Sequence, residues 1–214
     1  MRQSNMLTAL VGLLILAGTG IGTAQATSIT GNLWHVDEGI AQNAIPGNVP
    51  GRASDVTFEV NSPINFIGTN LTVGQWLASG SPLLSVSENT PGTLISLMDS
   101  GTIGTLVEFK GFVTVVNEQT FTVNHDDGLT LIIGSSNLGF NPGPTPPTTT
   151  TATYLGASGN LPFQLVYGEC CQGPAVLNVG LPFTDAPSVP EPASLLLLGA
   201  GLAGIGIWRR KSTK

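Results

Sequence analysis

The side chains able to carry out chemistry are few: two histidines, His35 and His125, two adjacent cysteines, Cys170 and Cys171, and thirteen acids. Nucleophilic catalysis needs a Ser, Cys or Thr beside a base that a third group orients. His125 stands next to Asp126 and Asp127, so a trio with a distant serine can be drawn. Yet no G-x-S-x-G, H-E-x-x-H or phosphate-loop pattern is present, and Ser79-Gly80-Ser81 has ordinary loop composition. His125 reads instead as the last residue of a strand before a turn. A glycosidase pair of carboxylates about 5–9.5 Å apart has no spacing signature among scattered acids. The expectation is a protein that is not an enzyme. The alternative from a different class is a secreted hydrolase acting on polysaccharide.

The cysteines leave three readings open. Two cysteines in an exported chain usually make one bridge, but neighbours in sequence bond only through a strained eight-membered ring with a distorted peptide. The pair is therefore two reduced, buried thiols, or a vicinal disulfide stiffening the turn before Gly173-Pro174, or a pair of metal ligands. Two donors do not make a structural zinc site, and neither histidine stands at motif spacing.

The elements that position these residues alternate with period two. Val56-Thr57-Phe58-Glu59-Val60 puts Val, Phe and Val on one face and Thr and Glu on the other, as a half-buried strand requires. Phe112 to Val116, Phe121 to Val123, Leu129 to Leu131, Phe163 to Tyr167 and Ala175 to Val179 read the same way, with Leu94 to Met98 and Thr105 to Phe109 as weaker candidates. Short runs rich in Val, Thr, Phe and Leu, punctuated by Gly, Pro, Asn and Asp, predict an all-β antiparallel sandwich or barrel. Gln75 to Ala78 is read as a single helical turn. The string Gln119 to Gly134, QTFTVNHDDGLTLIIG, predicts a hairpin, with Gly128 supplying a positive φ at the tip. Asn141 to Thr151, NPGPTPPTTTT, is low in complexity and predicts an exposed loop within one domain. Trp34 and Trp76 are candidates for stacking on a sugar ring, against the ordinary alternative of core or rim packing.

Length and charge bound the rest. A chain of 214 residues holds one ordinary core. Charged residues are 9%, against about 25% in an average soluble protein. Between Asp37 and Asp185 the only basic residues are Arg52 and Lys110, so no cluster of cations exists there to grip nucleic acid. Basic residues gather at the ends. Residues 1–26, with Arg2, an apolar run and Ala24-Gln25-Ala26, predict a cleaved signal peptide, and with it the Sec translocon and signal peptidase as partners. The exported domain is then 27–184, with a linker at 185–192. Residues 193–208 are an apolar run followed by a basic tail at 209–214 containing Arg209, Arg210 and Lys211. At about 24 Å this run is a short transmembrane helix, a marginal and transient anchor against roughly 30 Å of hydrocarbon.

Pro190-Glu191-Pro192, the apolar run and Arg209-Arg210-Lys211 together resemble the PEP-CTERM sorting signal of bacterial exported proteins. The resemblance implies recognition and cutting by an exosortase, a membrane-embedded protease. The prolines hold the backbone extended and stop helix propagation, so the tripeptide is presented for cleavage. Delivery to the envelope, cell surface or extracellular matrix follows, often where exopolysaccharide is made.

A second resemblance covers roughly 105–184. Phe121, Val123, Asp126, Asp127 and Gly128, then Tyr167 and Glu169, are similar to the PA14 and fibro-slime group of β domains on secreted and surface proteins. Lectins of that group hold Ca²⁺ with paired aspartates, and the ion in turn binds sugar hydroxyls. Carried over, the ligands here are Asp126 and Asp127, with Asn124 and Glu169 as further candidates; an additional ligand loop of those lectins has no counterpart here. The alternative is a purely structural turn. The reading is an exported surface or biofilm-matrix protein with a structural or adhesive role contacting exopolysaccharide, or a module with no specific ligand.

Overall fold

The computed structural model describes residues 27–185. The strands in chain order are β1 (Ser28–Asp37), β2 (Val56–Asn61), β3 (Ile64–Thr69), β4 (Leu83–Glu88), β5 (Ile103–Val115) and β6 (Thr120–His125). They continue with β7 (Leu129–Ile133), β8 (Ser136–Asn137), β9 (Thr148–Thr153), β10 (Gly159–Glu169), β11 (Pro174–Val179) and β12 (Phe183–Thr184). Two short α-helices, α1 (Glu38–Ala41) and α2 (Val73–Leu77), and a 3-10 turn at Pro46–Asn48 interrupt them. The larger sheet runs β4-β2-β1-β5-β10-β7-β8, with β12 beside the far end of β5, and the smaller runs β3-β11-β6-β9. All pairings are antiparallel, so the expected all-β antiparallel class holds.

Alternation builds the core. Phe58, Val60 and Val56 on β2 are fully buried, and Phe58 meets Phe109 edge-on at 5.6 Å between ring centroids. Phe66 of β3 lies 4.4 Å from Trp76, and Trp76 stacks in parallel on Tyr167 at 6.0 Å. Offset and edge-on contacts of this kind suit the quadrupoles of the rings. Gly31 is required here, because a Cβ at that position would run into the Phe58 ring. A smaller cluster of Trp34, Val36, Ala41, Ala44, Leu106, Val166 and Cys170 forms a second apolar group. Both tryptophans expected as sugar-stacking candidates are thus packed inside, and the Trp34 indole donates to the Arg52 carbonyl.

Three local expectations are corrected. β6 and β7 are not a hairpin: β6 pairs with β11 and β9, whereas β7 pairs with β10 and β8, so Asp126-Asp127-Gly128 arches from one sheet to the other. The positive φ falls on Asp127 (61°), and Gly128 is needed because a Cβ would collide with the Pro142 carbonyl. Thr148 to Thr151 are not loop but the first part of β9, whose Thr151 hydroxyl pairs with Thr122 at 3.1 Å. Leu94 to Met98 form turns instead of a strand, because their backbone groups serve α2. Val73 N–H donates to Ser96 O and Gly74 N–H to Leu94 O, satisfying the first turn of the helix. Thr72 and Gln75 close a reciprocal capping box at the same end.

The two chain ends of the described domain lie at one pole. Ser28 faces Asn61, Phe183 pairs with Val113, and the Thr27 hydroxyl donates to the Phe183 carbonyl. The opposite pole is reached along β10, whose Gly159 faces Val115 and whose Glu169 faces Thr105. Residues 1–26 and 186–214, which carry the expected signal peptide, Pro190-Glu191-Pro192, the apolar run and the basic tail, lie outside the described residues. Among the described residues no helix is long and apolar enough to cross a membrane.

Candidate functional site

Two arches between the sheets come side by side at the pole far from the chain ends. One is Asp126-Asp127-Gly128, linking β6 to β7; the other runs from Cys170 to Gly173, linking β10 to β11. Asp126 N–H donates to Val176 O at 2.9 Å, and Gly168 N–H donates to Gly128 O at 2.9 Å, so the first arch is hydrogen-bonded to both strands that flank the second. His125, fully buried, fixes the first arch: its Nδ1 donates to Asp127 O at 2.7 Å, while Nε2 lies 3.2 Å from the Thr150 hydroxyl. The Thr145 hydroxyl donates to the same carbonyl, and Asp127 N–H returns a bond to Thr145 O. This clamp holds Asp127 in the left-handed region, which Asp tolerates better than bulkier residues. His125 is therefore a structural clamp, with both ring nitrogens engaged.

The second arch is held by its backbone donors. Three consecutive N–H groups each meet a carboxylate from a different segment: Cys170 to Asp127 Oδ2 (2.7 Å), Cys171 to Glu38 Oε1 (3.2 Å) and Gln172 to Asp99 Oδ2 (2.6 Å). Cys171 (66°) and Gln172 (57°) take positive φ, and successive backbone N–H groups in such a turn favour anions. Within this arch the sulfurs of Cys170 and Cys171 are paired as a vicinal disulfide.

A cleft of about 330 Å³ opens between the arches, with Asp126 and Asp127 in its lining and Pro144, Pro146, Pro174 and Cys171 among its walls. Asp126 and Asp127 are each only 5% exposed. Asp126 Oδ2 has no hydrogen-bond partner, an expensive condition for a buried carboxylate. Burial raises the pKa of Asp126. Burial, with the charges of Asp126 and Asp99 adding to it, raises that of Asp127 to about 6, against the N–H bond from Cys170. Glu169 lies in an adjoining recess beside Asp99. It is 2% exposed and accepts a 2.6 Å bond from the Tyr167 hydroxyl. Burial and the neighbouring aspartates push it to about 9, so it is a neutral carboxyl at neutral pH. Asn124 is elsewhere: it lies on the exposed face of β6, level with Asn178 and Thr149.

The structure thus brings Asp126 and Asp127 together in one cleft, places Glu169 beside it and leaves Asn124 outside. Asp99 and Glu38 joined the cluster unannounced by the sequence, since only tertiary packing brings them to residues 171 and 172. The Asp126–Asp127 pair suits a hard cation: carboxylate oxygens line an open cleft, and one buried oxygen lacks any donor. Such an ion would supply charge compensation and open coordination positions for hydroxyl oxygens.

Residues 188–211 match the model of the PEP-CTERM protein-sorting motif. The chain carries a PEP-CTERM sorting signal. A signal of this kind marks a protein for exosortase processing, export and surface association. Two solved structures are similar to the described domain. One is the PA14 sugar-binding domain from an RTX adhesin, at 16% identity and TM-score 0.47, covering 72% of this chain and 88% of that one. The other is the PA14 domain of an antifreeze protein, at 16% identity and TM-score 0.49, covering 79% of this chain and 97% of that one. No curated protein matches the chain significantly.

Proposed function

We propose that this is a non-enzymatic bacterial surface or matrix protein, carried out by the Sec translocon, trimmed by signal peptidase and exosortase, and adhesive toward exopolysaccharide. Contact with the glycan is made at the cleft, where Asp126 and Asp127 hold Ca²⁺ and the ion takes sugar hydroxyls. The observation that carries this reading is the buried Asp126 Oδ2 with no partner, in a cleft that also contains Asp127. A buried, unpaired carboxylate beside a second one is relieved by a divalent cation. Prolines and the disulfide give the cleft apolar walls, which suit the C–H face of a pyranose ring, while its hydroxyls need polar contacts of the kind a cation supplies.

The test is thermal unfolding with and without calcium. Ligand at 100 times its Kd stabilises by about 2.7 kcal/mol, which for a domain of this size raises Tm by about 5–10 °C. The rise should vanish in the double variant Asp126→Asn, Asp127→Asn and be enlarged by the cognate glycan. No shift with calcium in the parent chain would leave a structural module without a ligand. Glycan turnover abolished by changing one carboxylate would replace the adhesive reading with a hydrolase.

A further inference from the structure

Cys170 and Cys171 meet in the fold the third donor that their spacing in the sequence lacks. Both sulfurs and a carboxylate oxygen of Asp127 lie within 4.8 Å of one another. Bridged sulfurs offer a metal nothing; thiolates do. The backbone around the bridge is held independently of it, through the N–H bonds of Cys170 to Asp127, Cys171 to Glu38 and Gln172 to Asp99. Opening the bridge therefore changes the donor set while the tethers keep both residues beside the carboxylate. Cys171 is exposed and lines the cleft, so a reductant can reach it.

We propose that reduction turns this corner of the cleft into a three-donor site, Cys170 Sγ, Cys171 Sγ and the Asp127 carboxylate, for a borderline-soft divalent ion of the zinc or cadmium class. The reductant is a dithiol. Its two thiols become its own disulfide, and the Cys170–Cys171 bond breaks as it takes up the two electrons and two protons. The ion then displaces those protons from sulfur. Two thiolates and one carboxylate leave a tetrahedral ion one open position. Asp127 is shared with the calcium pair, so the two ions exclude each other: a hard cation in the oxidised chain, a softer one in the reduced chain. The sulfur site does not depend on the calcium reading, because its signal comes from thiolate ligation whether or not calcium binds.

The experiment is a cadmium titration of the full chain after treatment with a phosphine, which opens the bridge as it is converted to its oxide with oxygen from water. The expected result is a thiolate-to-cadmium charge-transfer band in the ultraviolet that saturates at one ion per chain and is absent from the unreduced chain. Asp127→Asn should weaken cadmium binding by about tenfold or more, and unchanged affinity would overturn the three-donor site. Asp127→Asn also perturbs the tether to Cys170, so the cadmium-113 resonance of the parent chain gives an independent reading. A shift belonging to two sulfurs with oxygen supports the site. A four-sulfur shift, from an ion shared between chains, or the absence of any band overturns it.

Discussion

Gly128 sits directly against the carbonyl of Pro142, and no side chain fits between them. The contact packs the Asp126-Asp127-Gly128 arch against the proline-rich segment that walls the cleft. Gly128→Ala should destabilise the domain by about 3 kcal/mol, since the obstruction is backbone that cannot swing aside. Urea unfolding would measure it, and a loss below about 0.5 kcal/mol would mean the arch shifts freely.

Asp55 is the most heavily used acid away from the cleft. It accepts from His35 N–H at 2.9 Å and from the Thr90 hydroxyl at 2.6 Å, and forms an ion pair with Arg52 at 2.6 Å. Burial would raise its pKa, but bonds from Arg52, Thr90 and the His35 backbone overcome that and hold it at about 2. Asp55→Ala should cost about 2–4 kcal/mol, because donors are left unsatisfied at a buried site. Its folded pKa lies below the unfolded value near 3.8, so its contribution is complete above about pH 4 and is lost as pH falls toward 2. Acid unfolding of the variant should lack that part of the slope.

The cleft carboxylates act in the opposite sense. Asp127 at about 6 and Glu169 at about 9 bind protons more tightly when folded than when unfolded. The unfolded chain releases those protons first, so stability should fall as pH rises from about 4 through 9. In chelator, Tm should decline across that range. Calcium should flatten the Asp127 part, between about pH 4 and 6, and leave the Glu169 part. A Tm that rises from pH 6 to pH 9 would contradict the buried, uncompensated state of these groups.

Processing leaves a mass signature. The product recovered outside the cells should begin near Thr27 and lack the residues after Pro192. Replacing Pro190, Glu191 and Pro192 together with alanine should leave the C-terminal run attached, as read by intact-mass spectrometry. A product retaining Lys214 in the parent chain would remove the sorting signal from the account.

Much of this was legible beforehand, for a local reason. Period-two alternation is written within five residues, so Val56 to Val60 and Phe163 to Tyr167 announce strands and their buried faces. Alternation does not say which sheet a strand joins, and so the turn at Asp126 looked like a hairpin when it is an arch. The threonines of β9 form a strand because β6 offers them an edge, a fact no window around Thr148 contains. Asp126 and Asp127 were visible as neighbours. The tethering of residues 170–172 by Asp127, Glu38 and Asp99 was not, because its donors are backbone groups that every residue except proline possesses.

The placement of Thr27 and Asp185 away from the arches gives the molecule a handle and a head. With β10 running 11 residues from one pole to the other, at about 3.3 Å per residue the separation is about 35 Å. A hold on the chain just beyond Asp185 would therefore act at the pole opposite the acidic cleft.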